Sequence, residues 1–335
     1  MRLLLIPDVT APNGVDAFCT AIADRAPKRG HQASIQAVSA SAAELQAQGF
    51  ASDSDLVLVN SLQPAPLIAA RAAGKKTALR LIDSFAGVDP GLLEQARKLA
   101  SQADLIFVPS RYLSDIVRGW GVTAPIAQAP YAYEHIMAQQ IALVTIRASR
   151  PSVFQMVAGG PVTSASQPGF ETLLSALARL RLDWHLSIFG DGPALVALQA
   201  RAQEMVAAGK VSFVGDLPQA KVLEFLRAAK VYIEPCGVDG FPVFALHSLS
   251  EGCPVVGARA GAIPELIVDN ENGLLYPTNN PVALSEAIVT LASVKGLSLS
   301  LISGGIKTIE SRSWDATCTE VFSALEASGV ARSAA

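Results

Sequence analysis

The sequence predicts an α/β fold made of two domains. Its 335 residues exceed what one small hydrophobic core organises, and length alone favours two domains of roughly 150 residues each. Short apolar segments alternate with helical segments, which is typical of parallel sheets flanked by helices. The alternation breaks in a polar, proline-containing stretch at Arg147–Ser152 and then restarts. We therefore expect two Rossmann-like domains, joined by one hinge and facing each other across a cleft.

The first half of the chain predicts six strands and five helices. The opening residues form a buried strand rather than a secretion signal, because Pro7 and Asp8 end the apolar run early. The predicted strands are Arg2–Ile6, Ala33–Val38, Leu56–Val59, Thr77–Leu81, Leu105–Val108 and Ile126–Ala129. The predicted helices are Val15–Lys28, Ala42–Gln48, Pro66–Ala73, Gly91–Ser101 and Tyr112–Trp120.

The second half repeats this alternation. Its predicted strands are Val153–Ala158, His185–Phe189, Val211–Val214, Val231–Ile233 and Pro254–Gly257. Its predicted helices are Phe170–Leu180, Pro193–Ala208, Gln219–Ala229, Pro242–Glu251, Pro281–Ala292 and Trp314–Ala327.

The composition excludes several classes of protein. A net charge of −3 gives no reason to expect nucleic-acid binding. No apolar run approaches the roughly 18–20 residues that span a bilayer. The four cysteines lack metal-ligand spacing and predict reduced thiols. We expect a cytoplasmic protein; peripheral contact with the inner face of a membrane is compatible with the sequence.

The most informative segment runs from Val231 to Tyr276. A buried strand leads into a glycine-containing loop, and a helix opens at Pro242. A helix N-terminus beside the carboxyl end of a strand is a common phosphate site in α/β proteins. A second glycine-bearing turn, Gly190–Pro193, follows an earlier strand, which we expect to be a neighbour of the first. We expect a nucleoside diphosphate between these two turns.

This segment resembles the donor-binding region of the retaining family-four (group 1) glycosyltransferases. Their pattern contains Glu-Gly-Phe-Gly, a second Glu eight positions after the first, Gly-x-Pro-Val-Val, Gly-Gly-x-Pro-Glu and Asn-Gly-Leu-Leu. The positions that keep it are Gly240, Phe241, Gly252, Pro254, Val255, Val256, Gly261, Pro264, Glu265, Asn272, Gly273, Leu274 and Leu275. Weaker matches lie in the expected order at Asn13–Asp16, Lys28–His31, Gly190–Pro193 and Trp314.

The resemblance covers nearly the whole chain and implies the GT-B architecture. It implies an acceptor-side Rossmann-like domain at residues 1–148 and a nucleotide-sugar-binding domain at 149–312. A helix at 313–329 would cross back onto the first domain. The implied reaction is sugar transfer with retention of configuration, without a metal or cofactor, from a nucleotide-diphosphate sugar to an unknown sugar, lipid or small-molecule acceptor.

The departures from the pattern fall on residues that carry chemistry. Asp239 and His247 stand where the family has its two glutamates. The family's Arg and Lys after the second domain's first strand are missing, and Pro168 replaces the Lys. Because the leaving diphosphate gains negative charge, other cations must stabilise it, and Arg80 and Arg259 are the candidates.

The resemblance and the loop positions together nominate a site. The catalytic candidates are Asp239, Arg80 and Arg259, and the donor-binding candidates are Gly14, Gly190, Gly192, Gly240, Phe241, Pro242, Val243, His247 and Glu265. If His247 contacts the ribose, affinity should change near the ordinary imidazole pKa of roughly 6.5.

Each assignment has a structural alternative. Asp239 could only cap a helix, Glu265 could only begin one, and Gly14, Gly190 and Gly192 could only permit turns. His247 could be a surface or core-edge histidine. For the whole chain, the alternative to a glycosyltransferase is a non-catalytic relative that binds or partners with others. A dinucleotide-dependent oxidoreductase is disfavoured, because no G-x-G-x-x-G follows the first strand.

Overall fold

The computed structural model describes residues 1–8, 16–133 and 153–329. The chain forms two compact units. The first comprises Met1–Ala132 together with the chain from Trp314 onward, and the second comprises Tyr133–Ser313. The predicted hinge at 147–152 and the predicted boundary at 148/149 lie outside the described residues.

The first unit is built on a six-stranded parallel sheet. Its elements are β1 (Arg2–Ile6), α1 (Ala17–Arg25), β2 (Gln32–Ile35), α2 (Ala42–Ala47), β3 (Leu56–Val59), α3 (Pro64–Ala72), β4 (Lys76–Arg80), α4 (Pro90–Gln102), β5 (Leu105–Val108), α5 (Arg111–Gly119), β6 (Ile126–Gln128) and α14 (Trp314–Ala327). The strand order is β2-β1-β3-β4-β5-β6. The order reverses between β1 and β3, and in open α/β sheets ligands bind beside such a switch point, at the carboxyl ends of the strands.

The last helix, α14, belongs to the first unit. Its buried residues Cys318, Val321 and Phe322 join one core with Phe18 and Ile22 of α1. Arg25 and Asp315 form an ion pair at 2.5 Å between the same two helices. The apolar face of α14, not its exposed ion pair, provides most of the attachment, because surface ion pairs contribute only about 0–1 kcal/mol.

The second unit contains another six-stranded parallel sheet. Its elements are β7 (Phe154–Gly159), α6 (Gln167–Leu177), β8 (Trp184–Phe189), α7 (Leu195–Arg201), α8 (Gln203–Ala207), β9 (Val211–Gly215), α9 (Gln219–Ala228), β10 (Val231–Glu234), α10 (Val243–Ser250), β11 (Val255–Ala258), α11 (Ile263–Leu266), β12 (Gly273–Tyr276), α12 (Pro281–Ser293) and α13 (Leu297–Ser311). The order β12-β11-β10-β7-β8-β9 places the switch point between β7 and β10.

The predicted α/β class with two parallel, Rossmann-like sheets is confirmed. One detail of the site was wrong: the strands that precede Gly190 and Asp239, β8 and β10, are not neighbours, because β7 lies between them. The chain builds β7, β8 and β9 outward in one direction. It then returns to the other side of β7 for β10, and local sequence carries no mark of that return.

Three elements were not predicted from the sequence, namely the four-residue helix α11, the strand β12 and the helix α13. β12 is only four residues long and begins with Gly273, so it resembles a turn, yet it pairs in parallel with β11. α13 contains Gly304 and Gly305, which are poor helix formers. A Cβ on Gly304 would lie 2.0 Å from the carbonyl oxygen of Glu271, so close backbone packing requires glycine there.

Spanning a bilayer requires a helix that is both long and apolar. No single one of them is long and apolar enough to cross a bilayer. The pair α12 and α13, bent by 101°, passes the same test by length and composition when taken together.

Candidate functional site

The candidate site of the second unit lies at the carboxyl edge of its sheet, around the switch point. β7 ends at Gly159, and β10 ends at Glu234 beside it. The loop after β10 carries Asp239 and leads directly into α10. Phe244 in the first turn of α10 packs edge-on against Phe189 of β8, with ring centroids 4.8 Å apart. The start of α10 is therefore fixed above the ends of β7 and β8.

The start of α10 offers fewer amide donors than a regular helix. Pro242 occupies the N-cap position and provides no N–H group. The N–H of Val243 already donates to the carbonyl of Phe241 at 2.9 Å. Phe244 and Ala245 supply the remaining first-turn amides, so the helix can offer two backbone donors to an anion.

The glycine turn after β8 is held tightly against the loop after β7. Gly190 has a φ of 111°, in the region that favours glycine. A Cβ there would lie 2.1 Å from the carbonyl oxygen of Gly160. The N–H of Val162 also donates to the carbonyl of Asp191. Packing alone therefore requires a glycine at 190, although the turn lies at the carboxyl edge of the sheet, where open α/β sheets bind ligands.

A buried carboxyl group lies beneath the Asp239 loop. Glu234 is 3% exposed, and one of its carboxyl oxygens lies 3.1 Å from the hydroxyl of Tyr232. The same hydroxyl lies 3.2 Å from the carbonyl oxygen of Gly159. Burial, followed by the negative charge of Asp239, raises the pKa of Glu234 well above its ordinary value. Burial therefore favours the neutral form of this carboxyl group, and the Tyr232 hydroxyl lies within donating distance of both Glu234 and the Gly159 carbonyl.

His247 lies on α10 in a crowded, largely apolar environment. The ring of Tyr133 meets it edge-on with centroids 5.7 Å apart, and the side-chain nitrogen of Gln219 lies 3.3 Å from its Nε2. Its Nδ1 is buried and has no hydrogen-bond partner among the described residues. Burial lowers the pKa of His247 to about 4. The sequence predicts a change of affinity near pH 6.5 if His247 contacts the ribose. The folded protein should not show this change, because the ring is already neutral at that pH.

Two basic residues, Arg259 and Arg312, contact the segments around β11 and the β10 loop. Arg259, which follows β11, forms an ion pair at 2.9 Å with Asp269 on the β12 side, and its side chain is 52% exposed. Arg312 lies over the ring of Phe241 with its guanidinium carbon 5.4 Å from the ring centroid. It also donates to the carbonyl of Glu265 at 3.1 Å. Arg312 was not predicted, because it is distant from the motif in sequence.

No basic residue stands after β7, where the family pattern has its Arg and Lys. Pro168 lies at the first turn of α6, and a Cβ on Gly169 would come within 2.3 Å of the carbonyl oxygen of Pro235. The start of α6 therefore lies directly beside the loop after β10. A Lys at position 168 would place a cation at the same edge of the sheet.

Arg80 lies in the first unit, at the end of β4. Its Nη1 donates to the side-chain oxygen of Asn60 at 3.2 Å. The amide nitrogen of Asn60 donates to Asp16 at 2.5 Å. The guanidinium lies over Phe18, 4.1 Å from the ring centroid, and over Tyr131, 5.0 Å from the centroid. Gly14, the remaining candidate, lies outside the described residues.

Comparison with known families places the site in context. Residues 154–293 match the family model described as "Glycosyl transferases group 1". This range includes β7 to α12 and the loops of the second unit described above. Arg312 lies outside it.

Solved structures extend the likeness to the whole chain. The Anabaena protein Alr3699/HepE, solved with UDP and glucose, superposes with a TM-score of 0.75 at 16% identity, covering 98% of this chain and 100% of that one. Sucrose-phosphate synthase from Thermosynechococcus elongatus gives a TM-score of 0.73 at 15% identity, with 98% of both chains covered. This chain has the GT-B fold. At these identities the likeness establishes the fold alone.

Curated relatives match the GT-B chain over shorter segments. The D-inositol 3-phosphate glycosyltransferase of Acidothermus cellulolyticus is 35% identical over 120 residues, which is 36% of this chain and 27% of the relative. The GDP-mannose-dependent alpha-(1-6)-phosphatidylinositol monomannoside mannosyltransferase of Mycolicibacterium smegmatis is 30% identical over 130 residues, 34% of its length. The chain thus spans about a third of the length of these relatives.

The structure gathers most of the sequence-predicted residues of this GT-B chain at one edge. The loop after β7 in the second unit is flanked by Gly190, Gly192, Asp239 and the start of α10 at Gly240–Val243. His247 lies one helical turn further along α10. Glu265 and Arg259 follow the neighbouring strand β11. Sequence reasoning missed Glu234, Tyr232 and Arg312. An acidic residue ending an otherwise apolar strand was the available signal for Glu234.

Proposed function

We propose that the chain is a glycosyltransferase that takes a sugar from a nucleotide-diphosphate donor held by the second unit and transfers it to an acceptor. The observation that carries the proposal is the position of the family match, since residues 154–293 contain the switch point and the loops that surround it. HepE was solved with UDP and with UDP-glucose, so a uridine nucleotide is the first donor to test.

The donor would lie across the ends of β7 and β10. Its diphosphate would accept hydrogen bonds from the amides of Phe244 and Ala245, at the positive end of the α10 dipole. Asp239 would accept hydrogen bonds from the sugar hydroxyls. His247 stands where the family pattern has a glutamate, and by that resemblance its neutral imidazole would make one hydrogen bond to a ribose hydroxyl.

Catalysis would depend on stabilising the departing diphosphate. Bond cleavage at the anomeric carbon leaves negative charge on the phosphate oxygens, and fixed donors lower that barrier. We assign this task to Arg312, with Arg259 as the second cation if its exposed ion pair with Asp269 opens. Arg80 remains a candidate cation for this task by the sequence argument alone. Retention of configuration and independence of metal remain part of the proposal by family resemblance.

The test is release of nucleotide from a panel of UDP-, GDP- and ADP-sugars, with and without acceptor. Inositol-containing compounds belong in the acceptor panel, because inositol appears in the names of several relatives. Acceptor-dependent release supports the proposal. Tight donor binding without release from any sugar donor would indicate a non-catalytic binding protein instead.

A further inference from the structure

Tyr133 joins two parts of the second unit that are far apart in the sequence. It is the first residue of that unit, and Arg312 is the last but one. The N–H of Tyr133 donates to the carbonyl oxygen of Arg312 at 2.9 Å. This bond uses only backbone atoms, so it holds Tyr133 in place whatever side chain stands at position 133.

The ring of Tyr133 packs against the imidazole of His247 on α10. The two rings meet edge-on, at 72° and with centroids 5.7 Å apart. The ring of Phe244 also lies near, with its centroid 6.5 Å from that of His247, and Gln219 of α9 contacts the imidazole Nε2. Because close ring packing permits few side-chain orientations, these three neighbours together determine how the imidazole points.

The hydroxyl of Tyr133 reaches the backbone of the same residue. It forms a hydrogen bond with Ser250, and the Ser250 hydroxyl donates to the carbonyl oxygen of His247 at 2.8 Å. A serine hydroxyl has one hydrogen, which is already used toward His247, so Tyr133 is the donor to Ser250. Tyr133 therefore contacts His247 twice, directly at the ring and through Ser250 at the carbonyl.

The charged groups beside Tyr133 neutralise each other. Arg227 of α9 donates to the two carboxylate oxygens of Glu251 at 2.6 Å and 3.2 Å. Burial, more than this pair, raises the pKa of the Tyr133 phenol, and burial lowers the pKa of His247. Both rings are thus neutral near pH 7, and the packing of Tyr133 contributes to keeping water from the imidazole.

We infer that Tyr133 is a positioning residue of the donor site, whose ring and hydroxyl fix the orientation of His247. That His247 contacts the donor rests on the proposed function. The packing of Tyr133 on His247 does not, so it can be measured without a nucleotide. Groups that bind a ligand lose affinity when they are free to rotate, because binding must then order them.

Titration of the imidazole tests the packing directly. The full chain, labelled at its histidines, is followed by NMR as the pH is lowered, and His247 is assigned by the signal that His247→Gln removes. The wild-type pKa should be about 4. In Tyr133→Ala the pKa should rise by about one pH unit or more, toward the ordinary value of roughly 6.5, because water reaches the ring. Tyr133→Phe keeps the ring and should change the pKa much less.

Nucleotide affinity tests what the packing does for the site. The probe is UDP at pH 7.5, or GDP or ADP if UDP does not bind the wild type. Tyr133→Ala should bind at least about tenfold more weakly, and Tyr133→Phe should lose less. Tyr112→Ala removes a half-buried tyrosine of α5 in the first unit and should change neither the affinity nor the pKa of His247. Tyr133→Leu replaces Tyr133→Ala if the latter fails to fold.

A double variant shows whether Tyr133 acts through His247. If it does, Tyr133→Ala combined with His247→Leu should bind the nucleotide no more than about twofold more weakly than the weaker single variant, because no imidazole is left to position. Independent contributions of the two residues would instead multiply their losses.

Three results would overturn the inference. They are an unchanged pKa of His247 in Tyr133→Ala, equal nucleotide affinities of Tyr133→Ala and Tyr112→Ala when the wild type binds, and multiplied losses in the double variant. The histidine titration separates this inference from the proposed function. A raised pKa in Tyr133→Ala, together with a wild type that binds no nucleotide, would overturn only the proposed function.

Discussion

The hydroxyl of Tyr232 and the carboxyl group of Glu234 lie 3.1 Å apart at the end of β10. They are two residues apart on one strand, so both side chains point to the same face of the sheet. Both are buried, at 0% and 3% exposed. A carboxylate in this position would be poorly solvated, which explains why burial is the largest cause of the raised pKa of Glu234. The pair therefore lies buried at the end of β10, where the negative charge of Asp239 also raises the pKa of Glu234.

Glu234→Gln should stabilise the protein at neutral pH. In the unfolded chain Glu234 ionises above its ordinary pKa of 4.5, whereas the folded protein keeps it protonated to higher pH. The wild type thus loses stability as pH rises between these two values, at about 1.4 kcal/mol per pH unit, and the Gln variant does not. Denaturant unfolding at pH 4, 6 and 8 measures this difference. A constant gap between the two proteins would contradict a protonated Glu234.

Tyr232→Phe is the matched variant for the same pair. It removes the hydroxyl that lies between Glu234 and the Gly159 carbonyl while conserving the ring. We expect a loss of about 1–3 kcal/mol in the free energy of unfolding, because two buried groups lose a partner. A loss near zero at pH 6 would mean that the Tyr232 hydroxyl contributes nothing to the stability of this region.

The order of the two sheets shows where sequence reasoning succeeds and fails. Alternating apolar strands and helices predicted the fold class, because each strand buried on both faces leaves a continuous apolar run. The start of a helix at Gly240–Val243 could also be predicted, since Pro is common at the beginning of helices. The placement of β7 between β8 and β10 could not be predicted from the sequence, because strand order depends on contacts between distant segments. Burial of His247 and the contact of Arg312 with Phe241 depend on tertiary packing in the same way.

Burial of His247 makes acid stability a test of its environment. The folded pKa is about 4, below the ordinary value, so the unfolded chain takes up a proton first as pH falls. The free energy of unfolding should therefore drop between pH 6.5 and pH 4 by an amount that His247→Gln removes. The affinity for a nucleotide sugar should stay constant between pH 7.5 and 6. An affinity that changes tenfold near pH 6.5 in wild type but not in His247→Gln would contradict a buried, neutral ring.

Arg312 should matter for donor turnover more than for folding. If it stabilises the departing diphosphate, Arg312→Ala should lower nucleotide release by about 10²-fold or more. Arg312→Lys, which keeps the charge, should lower it less. Arg201→Ala, a matched loss of an arginine on the exposed side of α7, is the control. Equal rates for Arg312→Ala and Arg201→Ala would remove Arg312 from the site and leave Arg259 as the candidate in the second unit.

The contact between α13 and the turn before β12 is too close to accommodate a methyl group added at Gly304. A Cβ on Gly304 would lie 2.0 Å from the Glu271 carbonyl oxygen, so Gly304→Ala should destabilise by about 1–3 kcal/mol. Gly119→Ala, at the end of α5 with nothing within 4 Å of the added Cβ, should be neutral or slightly stabilising. Thermal unfolding of both variants measures the contrast, and similar melting temperatures would show that the Gly304 contact can relax without cost.

Calorimetric titration of the full chain with UDP, GDP and ADP tests most directly whether the second unit binds a nucleotide-diphosphate donor at its switch point. At least one should bind with a dissociation constant of about 1 mM or lower. Pro168→Lys should bind the same nucleotide more tightly, because it adds a cation beside the β10 loop, and His247→Leu should bind it more weakly. No heat and no thermal shift with any of the three at millimolar concentration would contradict the account.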